Sequence, residues 1–469
     1  MLTNAFTDSH RECAKLLLLL QENFAVDAAS AYTETLLSML LLLPSSRHKL
    51  AYYSCLLLNL SKAFVEVPAL LQRAGNELMA AMPKLDAELA VRVAQWLSLH
   101  VSHFGFSLSP FAETWKVLIA EDESEDLQRH GSLSRRAFVT LVLERMMRLS
   151  YHERITRELH ESLVELMPPK PHGAPFWASH TDTDERKGFE EKSAALLMRL
   201  RNKPTNEELT GWLAETIDQS ELVDLVMHSL LDAGQKSPSH LERLFVKFGW
   251  LLEHVAASDK SEGGGRASIA AATGSFFAKH TQLLWLSIEK LIKHRVIDPE
   301  TVVSWLCSPK GNQHLGVAST WEALVDIIEG VIIAQREASS ALSREEERYR
   351  AATEELEEGD RNEAAEERLA TRQAALEAIR REKKSLFANL YVGVAGALSE
   401  RMRSNAAEGQ PHVDEWWRAT IGLASALGRR YYLELPLVSI EMVVDGSEDV
   451  DASVSRTLFG GLTELNAFA

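Results

Sequence analysis

The sequence predicts an all-α protein made of two stacked helical-repeat domains of the HEAT type. Apolar residues recur at spacings of three and four along nearly the whole chain, as at Leu36, Leu40 and Leu43, and these runs end at Pro, Gly or Ser. Alternating runs of the kind that form strands are almost absent. Short connections between such helices favour antiparallel pairs, and stacked pairs form solenoids with broad interaction surfaces.

The composition limits the classes of function open to the chain. Its 469 residues, 46% of them hydrophobic, are enough for more than one core, because single cores stop growing near roughly 250 residues. The net charge of −17 repels phosphate, so a nucleic-acid function would need a local basic patch or a basic partner. The cysteines lack C-x-x-C spacing, which indicates a reducing compartment without a zinc or disulfide scaffold. Apolar runs are shorter than the roughly 20 residues of a membrane span, so we expect no membrane partner.

Residues 168–184, PPKPHGAPFWASHTDTD, predict a domain boundary. Prolines and a glycine in this segment oppose helix formation. We therefore predict a helical-repeat domain at 1–167, a Pro-rich linker at 168–184 and a second helical-repeat domain at 185–469. A second loop, SDKSEGGGR from Ser258, is expected inside the second domain.

A charge-rich segment, residues 336–386, predicts an inserted antiparallel coiled-coil hairpin. Its seam positions alternate at spacings of four and three, and EEGDRN at 357–362 is typical of a turn. Each arm would be about 35 Å long. Polar residues weaken this seam at Glu345, Arg372 and Lys383, so a solvated single helix or a disordered linker is the alternative.

The sequence offers no motif for catalysis. Phosphate-binding, dinucleotide-binding, nucleophile-elbow and H-E-x-x-H patterns are missing from the 469 residues. His100 and His103 form an H-x-x-H pair, but no Cys or acidic residue lies at ligand spacing from them, and packing or capping is the expected role. We therefore predict a protein that is not an enzyme, without catalytic residues, cofactor or metal.

The stretch MMRLSYHERITREL, residues 146–159, predicts a corner between two helices. Ser150 and Glu153 match the capping box S-x-x-E, which would end one helix and begin the next. On this interpretation Tyr151 and His152 lie at the bend. A histidine without an orienting partner is a poor candidate for a catalyst, so the structural interpretation is favoured over an active site.

Basic and aromatic residues do not alternate along the chain as they do in base-stacking platforms. The tryptophans are spread over the predicted helices, which is typical of core residues. We expect three short basic clusters to be solvated faces rather than nucleic-acid sites, with a docking patch as the alternative for the second, at the base of the predicted hairpin. These clusters are Arg135 with Arg136, Arg380 and Arg381 with Lys383 and Lys384, and Arg429 with Arg430.

Several short motifs of the sequence resemble those of one known family. MRLSYHERI, from Met147 to Ile155, resembles the signature run of the large subunit of the nuclear cap-binding complex, with Glu153 where that family often has Gln. HVSHFGFSL from His100 is similar to an upstream run of the same family, with Leu108 in place of a Trp.

Further matches follow in the family's order. They are KSPSHLERLFVKF from Lys236, LIKHRVIDPETVVSWLC from Leu291, the coiled-coil insertion, and KKSLFANLYVGV from Lys383. The resemblance implies domains like the middle domain of initiation factor 4G, of which this chain would hold the second and third. We expect the family's first domain and its basic nuclear-import segment to be absent from this chain.

The resemblance also implies a function. The chain would be an adaptor in the nucleus that holds a small subunit with an RNA-recognition motif. That subunit would bind the 7-methylguanosine cap, and the complex would present capped RNA to splicing, export and decay factors. As the surface that contacts the partner we predict Arg148, Tyr151, His152 and Arg154. The alternative is a helical-repeat scaffold of translation initiation or mRNA decay, which would share the fold but lack the MRLSYHERI run and the hairpin.

Overall fold

The computed structural model describes residues 2–6, 9–23, 28–44, 46–121, 131–259, 264–354, 363–411, 413–435, 440, 444, 447 and 449–467. Every regular element in these residues is an α-helix or a short 3-10 helix, which confirms the predicted all-α class. The chain forms two compact units. The first consists of Met1–Lys170, Met402–Tyr432 and Thr457–Ala469, and the second of Pro171–Arg401 and Leu433–Arg456.

The change from the first unit to the second at Lys170 falls inside the predicted linker, residues 168–184. Two late segments, 402–432 and 457–469, group with the first unit, although they lie within the predicted second domain, 185–469. The predicted limits 1–167 and 185–469 stay a prediction about which parts of the chain fold independently.

The first nine helices form a repeating stack. They are α1 (Leu2–Ala5), α2 (His10–Asn23), α3 (Ala28–Leu40), α4 (Leu50–Ala63), α5 (Val67–Ala81), α6 (Ala87–Ser102), α7 (Ser109–Ala120), α8 (Arg135–Leu149) and α9 (His152–Glu158). α2 packs on α4, α3 on α5, α4 on α6, α5 on α7 and α6 on α8. Because α2 to α6 each contact the helix two places further along the chain, neighbouring helices form pairs that stack as a helical repeat.

The second unit repeats this pattern. Its helices are α10 (Thr183–Arg201), α11 (Asn206–Thr216), α12 (Leu222–Gly234), α13 (Pro238–Ser258), α14 (Gly264–Phe276), α15 (Thr281–Lys293), α16 (Pro299–Cys307), α17 (Ala318–Glu354) and most of α18 (Glu363–Ala407). α10 packs on α12, α12 on α14, α13 on α15 and α14 on α16. The chain continues with α19 (Glu415–Arg430), which packs on α6, and with α20 (Ala452–Ala467).

Arg135, the first residue of α8, holds the ends of two earlier helices. Its side chain is buried, and its guanidinium donates to the carbonyl oxygens of Met79 at 3.1 Å and Ala80 at 2.8 Å, near the end of α5. A third bond of 2.9 Å reaches the carbonyl of Leu118 near the end of α7. The last carbonyls of a helix have no partner within the helix, so one cation satisfies two helix ends. The expectation that Arg135 lies on a solvated face is wrong.

The other two basic clusters also contribute cations to the folded core. Arg429 of α19 places Nη2 at 2.6 and 2.7 Å from the two carboxylate oxygens of Asp86, the residue that caps α6. In the second unit, the buried Lys383 pairs with Glu434. A solvated face is therefore wrong for these two residues, because each cation has a carboxylate partner far away in the sequence.

The segment that the sequence predicts as a linker packs on the second unit over residues 171–179. The amide of Phe176 donates to Nδ1 of the buried His228 at 2.8 Å, and His228 Nε2 lies 2.9 Å from the carbonyl of Ala272. A carbonyl only accepts, so Nε2 carries the proton and Nδ1 accepts. The amide of Ala174 donates to the carbonyl of Phe276 at 2.9 Å. Burial lowers the pKa of His228 to about 4 and keeps this ring neutral.

Helices α17 and α18 hold the predicted coiled-coil segment. The carboxylate of Glu345 lies 3.1 Å from Nε of Arg368, and the hydroxyl of Tyr349 donates to Glu366 at 3.4 Å. Glu345, which the sequence predicts to weaken the seam, is only 7% exposed and forms an ion pair across the two helices. The predicted turn at 357–362 lies outside the described residues, so the coiled-coil hairpin itself stays a prediction.

We expect His228→Gln to lower the free energy of unfolding by about 1–3 kcal/mol at pH 7.5, because the amide of Phe176 loses its buried acceptor. The cost should shrink at pH 4.5. In the wild type the folded-state pKa lies below the unfolded one, so the stability from neutral His228 is complete above pH about 6.5 and is lost as the pH falls towards 4.

Urea denaturation of both proteins at both pH values measures this difference. His254→Gln, at an exposed histidine of α13, is the matched control and should leave the stability unchanged at both pH values. A cost for His228→Gln that is the same at pH 7.5 and pH 4.5 would show that the titration of this ring does not contribute.

We expect Arg135→Met to lower the free energy of unfolding by about 2–4 kcal/mol, because three carbonyls at helix ends lose the charged donor that the buried Arg135 supplies. The neighbouring Arg136 is exposed, and Arg136→Met should change it by less than about 0.5 kcal/mol. Chemical denaturation of the two variants makes the comparison. Equal effects would contradict the structural role of Arg135.

Candidate partner-binding corner

The chain turns sharply between α8 and α9. α8 ends at Leu149, and α9 begins at His152. Between them Ser150 (φ −148°, ψ −144°) and Tyr151 (φ −131°, ψ 153°) have extended backbones. The bend therefore lies within the stretch 146–159, where the sequence places a corner.

The predicted capping box is not formed at this corner. Tyr151, not Ser150, precedes the first residue of α9, and its side chain makes no capping bond. The helix begins one residue later than the spacing predicts, so Glu153 occupies the second helical position, from which it does not complete the box. Its carboxylate pairs with Lys170 instead, and this hydrogen bond lowers the pKa of Glu153.

A complete capping box does occur at the start of α11. Thr205 Oγ1 accepts from the amide of Glu208 at 3.2 Å, and Glu208 Oε2 accepts from the amide of Thr205 at 3.0 Å. The spacing is the same as in the predicted box at Ser150. The difference lies only in which residue starts the helix, and spacing alone does not determine this.

Two of the four predicted contact residues help to hold the corner together. His152 Nε2 lies 3.2 Å from the carbonyl of Pro168, and the hydroxyl of Thr156 donates to the carbonyl of His152 at 2.9 Å. The guanidinium of Arg154 lies over the ring of Phe106, 5.0 Å from its centre. This cation–π contact ties α9 to the loop that follows α6.

Tyr151 is exposed to solvent at the corner. Its side chain is 58% exposed, and Leu149 two residues before it is 48% exposed. Phe104, in the loop after α6 that Arg154 contacts, is 46% exposed. Arg148 is half-buried, and burial lowers the pKa of its guanidinium. Large exposed side chains such as Leu149 and Tyr151, two residues apart at this bend, are typical of surfaces that contact another protein.

Leu149 and Phe104 are not among the residues that the sequence predicts for this surface. Leu149 belongs to an apolar helix end, and Phe104 follows the H-x-x-H pair, so neither has a signal of its own. His100 of that pair packs between the rings of Trp96 and Phe104, with centroid distances of 5.9 and 4.9 Å. Burial lowers the pKa of His100 to about 4.

The described residues contain no cluster of three or more His, Cys, Asp or Glu side chains that could hold a metal ion. Among the same residues, no helix is both long and apolar enough to cross a bilayer. What the corner offers is a surface with exposed apolar groups and cations held in place by internal contacts.

Comparison with known proteins gives matches in both halves of the chain. Two sequence models described as MIF4G like match residues 3–161 and residues 182–435. Nuclear cap-binding protein subunit 1 of Arabidopsis thaliana is 28% identical over 322 residues, which is 67% of this chain and 36% of that protein. The protein of the same name from Gallus gallus is 23% identical over 432 residues, 88% of this chain and 52% of its own length.

A further relative of this name, from Oryza sativa subsp. japonica, is 27% identical over 328 residues, covering 68% of this chain and 36% of that protein. The chain thus spans between about a third and a half of the length of these curated relatives. The matches confirm the resemblance to the large cap-binding subunit. Because one of the two models alone covers more than half of the residues, this chain belongs to the MIF4G-like family.

Proposed function

We propose that this chain is the scaffold subunit of a nuclear cap-binding complex and catalyses no reaction. It holds a small subunit with an RNA-recognition motif, and that subunit binds the 7-methylguanosine cap. The observation that carries the proposal is the joint match of both halves of the chain to the MIF4G-like family and to relatives named nuclear cap-binding protein subunit 1.

The chemistry of the chain supports this division of labour. The 7-methylguanine base of the cap carries a positive charge and is recognised by aromatic faces that stack on it. Trp96, Trp115 and Trp305 are among the largest fully buried side chains, so these rings stabilise the core. The net charge of −17 also opposes direct RNA binding over most of the surface. A partner that holds the cap removes the need for a stacking site here.

We propose the corner between α8 and α9 as one contact surface for the small subunit. Tyr151 would insert its exposed ring, and Arg148, His152 and Arg154 would border it with polar groups. The support is the exposure of Tyr151 beside Leu149, because aromatic side chains surrounded by polar residues are typical of the centres of interfaces.

The further roles that we propose for the complex depend on this assembly. The complex would work in the nucleus, accompany RNA to the cytoplasm, and present capped RNA to splicing, export and decay factors. The long helices α17 and α18, with the coiled-coil hairpin that the sequence predicts between them, would offer an additional surface for such factors.

Co-expression with the small cap-binding subunit of the same organism, followed by capture on a cap resin, tests the proposed function. We expect this chain to be retained on the resin when the small subunit is present and to be washed off when it is absent. Retention without the small subunit would overturn the division of labour. Loss from the resin in the presence of a resin-bound small subunit would favour a scaffold of translation initiation or mRNA decay.

A variant at the corner tests the contact surface separately. Tyr151→Ser should weaken binding of the small subunit by about tenfold or more, because the loss of a central aromatic residue removes buried apolar area. Its unfolding free energy should change by less than about 0.5 kcal/mol. Calorimetric titration measures the affinity. Val65→Ser, at a side chain that is 90% exposed, is the control, and equal affinities of the two variants would place the interface elsewhere.

A further inference from the structure

The start of α13 and the end of α15 together form a basic face on the second unit. We define this basic face as residues 236–247 and 289–295. These segments contain two carboxylates, Glu242 and Glu289. They also contain six Lys and Arg residues: Lys236, Arg243, Lys247, Lys290, Lys293 and Arg295. This local excess is opposite in sign to the chain's net charge of −17.

Contacts between the two helices bring the segments together. α13 packs on α15, and the Glu242 carboxylate lies 2.6 Å from Lys293 Nζ and 3.3 Å from His294 Nε2. Its second oxygen lies 3.9 Å from Lys290 Nζ. One carboxylate is therefore shared by several basic groups, and the hydrogen bond from Lys293 lowers the pKa of Glu242. The sequence separation of 51 residues explains why no basic cluster is visible in the sequence.

Three cations of the basic face have solvent-exposed side chains. Arg243, Lys247 and Arg295 are exposed and form no ion pair within the described residues. Lys247 Nζ lies 4.8 Å from the ring centre of the buried Phe248. This cation–π contact holds the Lys247 side chain along the helix. Because Arg243 and Lys247 are one helical turn apart, about 6 Å along the axis, their fields add within one Debye length.

The composition of the basic face distinguishes between anionic ligands. Phe245 and Phe248 are buried, so neither phenyl ring is available for a base to stack on. Val246 is its one large exposed apolar side chain among the described residues, which is too little for the apolar centre of a protein interface. Cations without stacking groups contact the phosphate backbone and give little sequence preference.

We propose that the basic face binds the phosphate backbone of single-stranded RNA. A chain of this net charge needs a local basic patch to bind nucleic acid, and the packing of α13 on α15 provides one. The inference goes beyond the proposed function, because this contact needs neither the cap nor the small subunit. RNA downstream of any bound cap would reach the face as a second, sequence-independent contact.

Fluorescence anisotropy with the full chain and an uncapped labelled oligouridylate tests the proposal. The triple variant Arg243→Gln, Lys247→Gln, Arg295→Gln removes the three exposed cations that form no ion pair within the described residues, and it should bind about tenfold more weakly or worse at low salt. The slope of log affinity against log salt concentration should fall by about 2, at roughly 0.7 per lost phosphate contact. Arg186→Gln, Lys187→Gln, Arg380→Gln removes the same charge from exposed sites whose arginines pair with glutamates, and should change the affinity by less than about twofold.

A second variant changes binding in the opposite direction. Glu242→Gln removes one of the two carboxylates of the basic face and should tighten RNA binding by about twofold or more, which no loss of folding would imitate. Three results would overturn the proposal: no binding by the wild-type chain at low salt, equal losses in the two triple variants, or weaker binding by Glu242→Gln. Displacement of the RNA by polyglutamate at equal charge concentration would assign the face to an acidic protein segment instead. Since the RNA is uncapped and no small subunit is added, failure here leaves the cap-resin experiment unaffected.

Discussion

The buried guanidinium of Arg135 fixes the geometry on which the first unit depends. Stacked helical pairs bring several helix ends close together, and each end carries carbonyls that its own helix leaves without a partner. Arg135 satisfies carbonyls at the ends of both α5 and α7 while it begins α8. The helix that begins at this anchored residue, α8, ends at Leu149, directly before the corner.

The three basic clusters illustrate what composition does and does not predict. Each supplies one cation to the folded core, namely Arg135, Lys383 and Arg429. Their partners lie far away in the sequence, 343 residues in the case of Arg429 and Asp86, so local sequence does not distinguish a buried cation from a solvated one. The basic face differs from these clusters because it is not visible in the sequence. Its charges come from two separate segments, which the packing of α13 on α15 brings together.

Periodicity predicted the helical class and the location of the corner, because both depend on short-range spacing. It failed for the register of the cap at Ser150, where a shift of one residue changes which side chain meets the free amides. Two residues of the candidate surface, Leu149 and Phe104, were not predicted from the sequence. Tyr151 could be singled out from the sequence, whereas the exposure of Leu149 and Phe104 depends on which neighbours fail to cover them.

The packing of residues 171–179 bears on how the molecule should be dissected. A segment rich in proline would ordinarily be chosen as the place to cut between two domains, with the second fragment starting at Glu185. Here the amides of Gly173, Ala174 and Phe176 all have acceptors in the second unit, and Trp177 is buried. A fragment that starts after this segment would expose the ring of Phe276 and leave His228 without its donor. The natural start of a separately expressed second unit is Pro171, where the compact unit itself begins.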